Sequence, residues 1–314
     1  MPSSKQVHVD AALSSFIAGY EPAEYFADII SPIVETQKAS DKYTTYLRED
    51  VERRVDDALA ENGQASELDY SQGTGSYLVK DRGLKGVVTR KTQANADEPQ
   101  DPREFTTQQV MWALMREREI RVADGFNSTS NYATSNTSAA ANPWTNTTSG
   151  TPLADVDAMK EALAPGMMEK TELVMVLAKP TWHALRRHPD LRGAGAESRV
   201  VTLQEAANLL EVDRILVSEA WKLTNNRGQA ATRERIWSPS NAIIARVPSG
   251  EPSGLTGLFA ATMRFAAGAG FPIEVRTWDD PSRGRGGSEV VQVEFSDDEI
   301  FVQNDMAYLL TGVA

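Results

Sequence analysis

Apolar residues recur at helical spacing in one long stretch, residues 106–124, with the sequence TTQQVMWALMREREIRVAD. They lie on one face of a helix and are Val110, Met111, Leu114, Met115 and Val122. The stretch has no glycine or proline and is rich in strong helix formers. The pattern predicts a helix that begins at Thr106 or Thr107 and ends before Gly125. We expect its charged residues to face solvent, namely Arg116, Glu117, Arg118, Glu119 and Arg121.

The chain before this helix carries weaker patterns. Short helices are predicted over residues 7–19 and 21–30, and residues 41–48 have the composition of a strand. Residues 51–103 are punctuated by glycine and contain little that could form a core. Extended pieces at 76–80 and 84–90 predict a hairpin there, which is marginal in water on its own. The alternatives are a floppy insertion and an arm ordered by partner molecules.

The chain after the helix alternates between helical and extended patterns. Residues 126–150 are rich in Ser, Thr and Asn and predict a surface loop. Pro152 opens a predicted helix that Pro165-Gly166 ends, and Thr202 with Glu205 forms a capping-box pattern. Buried strands are predicted at 172–178 and 214–218, and further strands at 242–247 and 273–278. A closing hairpin is predicted from 290–295 and 300–303, with its turn at 296–298.

Composition narrows the class of protein. The chain has 314 residues, of which 41% are hydrophobic, so it can bury a core of about two domains. It has no cysteine, which excludes disulfides, thiolate metal sites and cysteine catalysis. Its formal charge of −12 makes attraction of the whole chain to nucleic acid unfavourable. No signal peptide is recognisable, and no stretch is long and apolar enough to predict a membrane-spanning helix.

The candidate chemical groups do not converge on a site. His183 and His188 are five residues apart, which is not the spacing that puts two ligands on one helix face. The carboxylate clusters at 279–280 and 297–299 border predicted turns, and we expect solvated turns there. The glycines at 73–75 lack the spacing of a phosphate-binding loop, and residues 283–287 predict a surface turn. We therefore predict no catalytic, cofactor-binding or metal-binding residues.

Three stretches resemble the major capsid proteins of tailed bacteriophages with the Hong Kong 97-like fold. They read TPLADVDAMKEAL, LVMVLAKPTWHALRRHPDL and VTLQEAANLLEVDRILVSEA, and lie within residues 151–220. The N-terminal residues 10–13, Tyr20, 30–34 and 41–46 resemble the amino-terminal arm of that family. The resemblance covers nearly the whole chain, through many weak positions and no single diagnostic motif.

The resemblance implies an α+β capsid fold divided into named parts. These are an N-arm (1–50), an extended E-loop β-hairpin (51–103), a P-domain spine helix with its following loop (104–150), an α/β A-domain (151–270), and closing strands that return to the P-domain (271–314). It implies a head subunit that assembles with itself into hexamers and pentamers of an icosahedral shell around double-stranded DNA. Other implied partners are a separate scaffolding protein, a portal and a decoration protein, with no membrane. We expect the scaffold to be separate because no scaffolding segment precedes the arm and the chain starts at Met1. The implied location is the virion, after assembly in the bacterial cytoplasm.

Some relatives join an E-loop lysine to a P-domain asparagine. The matching candidates are Lys80, Lys85 and Lys91 with Asn304, although the sequence places no buried carboxylate to take the lysine proton. Two other functions stay open. One is an encapsulin-like compartment shell, which would enclose cargo enzyme in place of DNA. The other is a soluble α/β enzyme with a long lid, which would be a discrete monomer or dimer with one deep pocket.

Overall fold

The computed structural model describes residues 8–9, 14, 25–46, 52–55, 57–58, 65, 71–96, 101–164, 170–193, 200–225, 228–250, 255, 257–266 and 272–314. Its helices are α1 (Ala27–Ile30), α2 (Arg90–Ala94), α3 (Pro102–Phe126), α4 (Pro152–Ala162), α5 (Lys179–Leu185), α6 (Pro189–Arg192) and α7 (Leu203–Leu210). Its strands are β1 (His8–Val9), β2 (Ile33–Thr36), β3 (Ser40–Tyr46), β4 (Gln72–Leu78), β5 (Lys80–Thr89), β6 (Thr137–Ala139), β7 (Thr171–Ala178), β8 (Arg214–Ser218), β9 (Trp221–Leu223), β10 (Arg233–Arg235), β11 (Asn241–Pro248), β12 (Ala260–Phe265), β13 (Glu274–Asp280), β14 (Ser288–Phe301) and β15 (Ala307–Thr311).

The long helix α3 exists but extends further than predicted at both ends. Asp101 caps it by accepting a hydrogen bond from the Arg103 amide at 2.8 Å, and Pro102 occupies the first turn, where no amide donor is needed. The 25 residues span about 37 Å at ~1.5 Å per residue. Gly125 lies inside the helix, so the prediction that it ends the helix is wrong. A β-carbon at Gly125 would collide with the ring of Phe301, and glycine is therefore needed for close packing.

One sheet of six strands is built around β14. β5 runs antiparallel along one side of β14, while β13 and β12 pair with the first and second parts of its other side. β1 extends the sheet beyond β13, and β2 joins β12 in parallel. β14 is one strand of 14 residues, so the predicted closing hairpin with a turn at 296–298 is wrong.

A second sheet has the order β6-β15-β11-β7-β8. Side chains alternate between its two faces, as Val174 and Val176 pack in one core while Met175 and Leu177 pack in the other. The second of these cores also contains the apolar faces of α4, α5, α6 and α7. The strands predicted at 172–178, 214–218 and 242–247 are confirmed with small changes of boundary.

Helix α3 contacts the cores of both sheets. Its N-terminal half packs Met111 and Leu114 against Val275 and Val293 of the six-stranded sheet. Its C-terminal end inserts Phe126 into the core that lies against the five-stranded sheet. The predicted apolar face is therefore confirmed, and the helix joins the two sheets.

The N-terminal predictions are only partly tested. Residues 8–9 form a strand and not a helix, and the rest of the helix predicted over 7–19 lies outside the described residues apart from Ser14. Of the helix predicted over 21–30, residues 27–30 are helical. The end of α4 at Ala162 precedes Pro165-Gly166, which lie outside the described residues.

The predicted hairpin is composed of different strands. β4 pairs with β3, from Ser40 opposite Leu78 to Tyr46 opposite Gln72. β5 pairs with β14 in the six-stranded sheet and not with β4. The hairpin therefore takes one strand from the segment assigned to the N-arm, and residues 47–71 lie between its two strands.

Two further predictions need correction. The stretch 126–150 is not only a surface loop, because Trp144 is wholly buried and donates to Asp155 at 2.8 Å. The last strand, β15, lies in the five-stranded sheet and does not return to the six-stranded one. The sequence patterns also missed β12 and the small β9–β10 hairpin.

Within the described part of the chain, no helix has the length and hydropathy needed to cross a membrane.

Candidate functional site

The candidate chemical groups from the sequence are dispersed in the fold. His183 is half-buried on α5, whereas His188 is buried at the start of α6, where its Nδ1 accepts from the Asp190 amide at 3.3 Å. The described residues contain no group of three or more His, Asp or Glu side chains that could hold a metal ion. Residues 283–287 form the turn between β13 and β14, as predicted for a surface turn.

Two cavities of the described region lie away from the buried carboxyls. One of about 610 Å³ lies between α2 and the start of α3. Another of about 570 Å³ lies against β5, β13 and β14. The buried carboxyls Glu119 and Asp297, whose pKa values burial raises, line neither cavity. Arg276 lines the second cavity, and its pKa is raised by a hydrogen bond to Glu274.

Glu119 is the most buried charged group on α3, although the sequence predicted that it faces solvent. Its Oε2 accepts hydrogen bonds from the backbone amides of Ala27 at 2.8 Å and Phe26 at 3.2 Å. Its Oε1 accepts from the indole nitrogen of Trp237 at 2.6 Å. Burial raises the pKa of Glu119, while these three hydrogen bonds and Arg118 lower it. One carboxyl group thus ties together α1, α3 and the segment before β11.

Arg118, next to Glu119, makes a second buried connection. It is 4% exposed, forms an ion pair with Asp28, and donates to the Ser31 carbonyl at 3.2 Å. The same guanidinium donates to Thr262 Oγ1 of β12 at 3.1 Å. Arg118 therefore connects α3 to residues 28–31 and to the six-stranded sheet.

Asp297 is the centre of a third buried group of charges. Its side chain is fully buried on β14 and lies 3.3 Å from Arg121, 3.5 Å from Arg82 and 3.9 Å from Arg264. Burial and the neighbouring Glu299 raise its pKa, and the arginines lower it. Burial and Arg118 lower the pKa of Arg264 to about 10. This carboxylate cluster was predicted as a solvated turn, and that prediction is wrong because α3, β5 and β12 supply its counter-charges.

We name the set Arg118, Glu119, Arg121 and Asp297, with their partners, the charged junction. It links the N-terminal residues 26–31, α3, the segment before β11 and the six-stranded sheet. These hydrogen bonds and ion pairs fix how the joined elements sit together.

Sequence reasoning missed the junction because its partners are far apart in the chain. Glu119 and Trp237 are separated by 118 residues, and Arg118 and Thr262 by 144. The available signal was the spacing itself, since Glu119 falls between the apolar positions Met115 and Val122 of the same helix. A charged residue at that position lies at the edge of the buried face of the helix.

The candidate crosslinking residues are exposed. Lys80, Lys85 and Lys91 lie on β5 and α2, and Asn304 lies in the turn between β14 and β15. Within the described residues no hydrogen bond joins these lysines to Asn304. The carboxylate opposite Lys80 in the sheet is Asp297, which three arginines already engage. A free proton acceptor for the lysine is therefore missing from this position.

The surface of the described region has large apolar side chains on its extended parts. On α3 Phe105 is 60% and Trp112 40% exposed, and they are seven residues apart on one face. Leu78 at the end of β4 is 60% exposed. Tyr25 stacks on Trp112 at 6.4 Å between ring centroids. Exposed apolar groups of this size commonly mark contacts with other molecules.

Comparison with known proteins identifies the fold. No family model matches the chain, and no curated protein matches it. Among solved structures, a phage-related protein from Bordetella bronchiseptica is 20% identical with a TM-score of 0.74, over 97% of both chains. The capsid of Cyanophage P-SCSP1u is 10% identical with a TM-score of 0.55, over 94% of this chain and 91% of that one. The encapsulin of Synechococcus elongatus is 13% identical with a TM-score of 0.52, over 98% and 96%.

These likenesses extend over nearly the full length of each chain. The protein therefore has the mixed α+β fold of phage capsid proteins, and the predicted Hong Kong 97-like fold is confirmed. The encapsulin of Synechococcus elongatus has the same fold.

Proposed function

We propose that the chain is the major capsid protein of a tailed phage. It assembles with itself into hexamers and pentamers of an icosahedral shell that encloses double-stranded DNA, and it is not an enzyme. The observation that carries this proposal is the full-length likeness to a phage-related protein and to a phage capsid. The fold is the starting point of the proposal, since fold alone does not fix function. The exposed apolar side chains and the β3–β4 hairpin supply surfaces for contact with neighbouring subunits.

The proposed division of the chain follows the sequence analysis with two changes. The N-arm ends before β3, because β3 is one strand of the hairpin that we assign to the E-loop. β15 belongs with the A-domain, because it pairs with β11. The P-domain contains α3 and the six-stranded sheet, and the A-domain contains the five-stranded sheet with α4 to α7.

The hairpin is anchored at its base. Tyr77 is buried and packs in a small cluster with Ala261 and Met263 of β12 and Ile300 of β14. The Leu78 amide donates to Asp298 at 3.0 Å. Residues 47–71 join the two strands at the far end.

The other proposed partners follow from the proposed capsid role and not from contacts within the chain. They are a separate scaffolding protein, a portal, a decoration protein and packaged DNA held without sequence-specific contact. The proposed location is the virion, after assembly in the bacterial cytoplasm. An encapsulin-like shell is the second candidate, favoured by the likeness to the Synechococcus elongatus encapsulin.

The first experiment measures particle size by light scattering and negative-stain imaging, with the protein expressed alone and then with a neighbouring scaffolding gene. Closed shells or rings of subunits are expected, and shells filled with a cargo enzyme would favour the encapsulin alternative. A discrete monomer or dimer under both conditions contradicts the proposal. Protein migrating as a single monomer band from mature shells on a denaturing gel would exclude the lysine–asparagine crosslink.

A hairpin deletion tests the arm separately. Removing residues 63–92 would also remove β5, the antiparallel neighbour of β14 in the six-stranded sheet, and would confuse folding with assembly. Replacing residues 47–71 by an Asn-Gly turn keeps β3 and β4 paired, since Tyr46 and Gln72 are opposite each other. We expect a folded variant that forms no closed shells. Normal shells from this variant would contradict the proposed role of the hairpin.

A further inference from the structure

The C-terminal ends of the parallel strands β7 and β8 carry an excess of positive charge on a chain of net charge −12. Lys179 and α5 follow β7 there, and the β9–β10 hairpin follows β8. We call this region the positive end, and its cations are Lys179, Arg186, Arg187, Lys222, Arg233 and Arg235. Three carboxylates accompany these six cations, Asp124, Glu219 and Glu234. Among the described residues, Lys179 pairs with Glu219 at 2.6 Å and Lys222 with Asp124 at 3.4 Å, whereas the four arginines have no carboxylate partner.

These cations form one patch. Burial lowers the pKa of His183, and the charges of Arg186, Arg187, Lys179 and Arg235 lower it further. Arg233 and Arg235 both lie over the ring of Trp221, at 4.8 and 4.2 Å from its centroid. α5 and the β9–β10 hairpin therefore present a continuous basic surface.

The opposite ends of the same strands are acidic. Glu172 begins β7, Asp213 precedes β8, and Asp213 accepts from the Leu173 amide at 2.7 Å. The last turns of α4 and α7 meet here, where Lys160 contacts Glu211 at 3.1 Å. We call this region the negative end, and its carboxylates are Asp157, Glu161, Glu172, Glu211 and Asp213. Four cations accompany these five carboxylates, Lys160, Lys170, Arg214 and Arg246. Lys160 pairs with Asp157 and Glu211, and Arg214 pairs with Glu172.

The two ends are held apart at a fixed distance. β7 has eight residues, which span about 26 Å at ~3.3 Å per residue. This separation is well beyond the ~8 Å over which charges interact at physiological ionic strength. The two ends of one chain therefore cannot neutralise each other, and each is available to another molecule.

We propose that the positive end binds the negative end of a second copy of this chain, in a head-to-tail contact. Two different, complementary surfaces on one molecule generate a heterologous interface, and such interfaces close into rings when the rotation allows. The inference rests on the proposed shell function and names the surfaces that would join neighbouring subunits around a ring.

A protein partner fits the positive end better than nucleic acid. Trp221 and Leu223 are 40% and 62% exposed, and apolar groups with arginines are typical of protein interfaces. The guanidinium groups of Arg233 and Arg235 occupy the ring of Trp221, where a nucleic-acid base would have to stack. The rest of this chain is acidic, so a second copy supplies the required charge.

Charge reversal in the full chain tests the contact. The positive-end variant is Arg187→Glu with Arg233→Glu, and the negative-end variant is Glu161→Lys with Glu211→Lys. These four side chains are exposed, so far-UV circular dichroism should show unchanged folding. Each double variant is expected to lower the yield of shells or rings at least roughly tenfold under the conditions in which the wild type assembles, since like charges would then face each other. The chain carrying all four substitutions should recover assembly.

Arg283→Glu with Arg285→Glu is the matched control for the positive-end variant, because it makes the same change of net charge in the turn between β13 and β14. It should assemble like the wild type, and equal loss in this control would overturn the inference by assigning the effect to net charge. Assembly of the positive-end variant at the wild-type level would also overturn it. If that variant assembles normally but its particles retain less nucleic acid, the patch binds polyanions instead. A wild type that never assembles removes the shell function itself, which distinguishes the two failures.

Discussion

Replacing Glu119 by Gln is the sharpest test of the charged junction. The carboxylate accepts from two backbone amides on one oxygen and from the Trp237 indole on the other. The amide of Gln has nearly the same shape but only one acceptor oxygen. Its NH₂ group must therefore face at least one buried N–H donor, which leaves that donor without a partner.

The expected loss follows from the number of donors affected. Leaving one buried donor unsatisfied costs about 1–3 kcal/mol, so Glu119→Gln should lower the free energy of unfolding by that amount. Glu119→Ala abandons all three donors and should cost more, about 3–5 kcal/mol. Glu117→Gln is the matched control on the same helix, because the side chain of Glu117 is 54% exposed, and it should change stability by less than ~0.5 kcal/mol.

The assay is urea unfolding of the full chain followed by far-UV circular dichroism, with midpoints compared at constant slope. Trp237→Phe removes the indole donor, so the Gln amide can turn its NH₂ group toward the site that the donor has vacated. Glu119→Gln with Trp237→Phe should then be more stable than the sum of the single losses predicts, by about 1 kcal/mol. Strict additivity, or a Glu119→Gln variant as stable as Glu117→Gln, would refute the assigned hydrogen bonds.

Three further predictions concern stability. Burial raises the pKa of Glu119 above its ordinary value of 4.5. The wild type should therefore gain stability relative to Glu119→Gln as pH falls through the raised pKa, and the gain should be complete below 4.5. A stability difference that is constant between pH 7.5 and 4.5 would contradict this. Gly125→Ala should cost about 1–3 kcal/mol in thermal or urea unfolding despite the better helix propensity of Ala, and adding Phe301→Leu should restore part of the loss; a stabilised Gly125→Ala variant would show that Phe301 can move aside. Thr202→Ala should cost about 1 kcal/mol by removing the capping box of α7, whereas Thr202→Ser should be nearly neutral; equal stability of the two variants would count against the cap.

Local patterns predicted the elements whose causes are local. The apolar run at 172–178 forms β7, and Thr202 with Glu205 forms the predicted capping box. The pairing of β5 could not be predicted from local patterns, because β5 is glycine-rich. Its partner strand is β14, some 200 residues later in the chain. The same limit applies to Asp297, whose neighbours on β14 resemble a polar turn until arginines from α3, β5 and β12 surround it. The general fold was predicted from the resemblance to a known family. That resemblance combines many weakly informative positions, whereas helix and strand patterns use only the residues of one short segment.

The hydrogen bonds at Glu119 also affect how this sequence can change during evolution. The carboxylate binds the backbone amides of residues 26 and 27 and not their side chains. Any residue except proline supplies the same donor, so mutation at Ala27 can alter the side chain and keep the bond. Glu119 and Trp237 contribute through their side chains and have no such freedom. A contact of this type lets the N-terminal segment diverge while its attachment to α3 persists, as a fold shared at 20% identity requires.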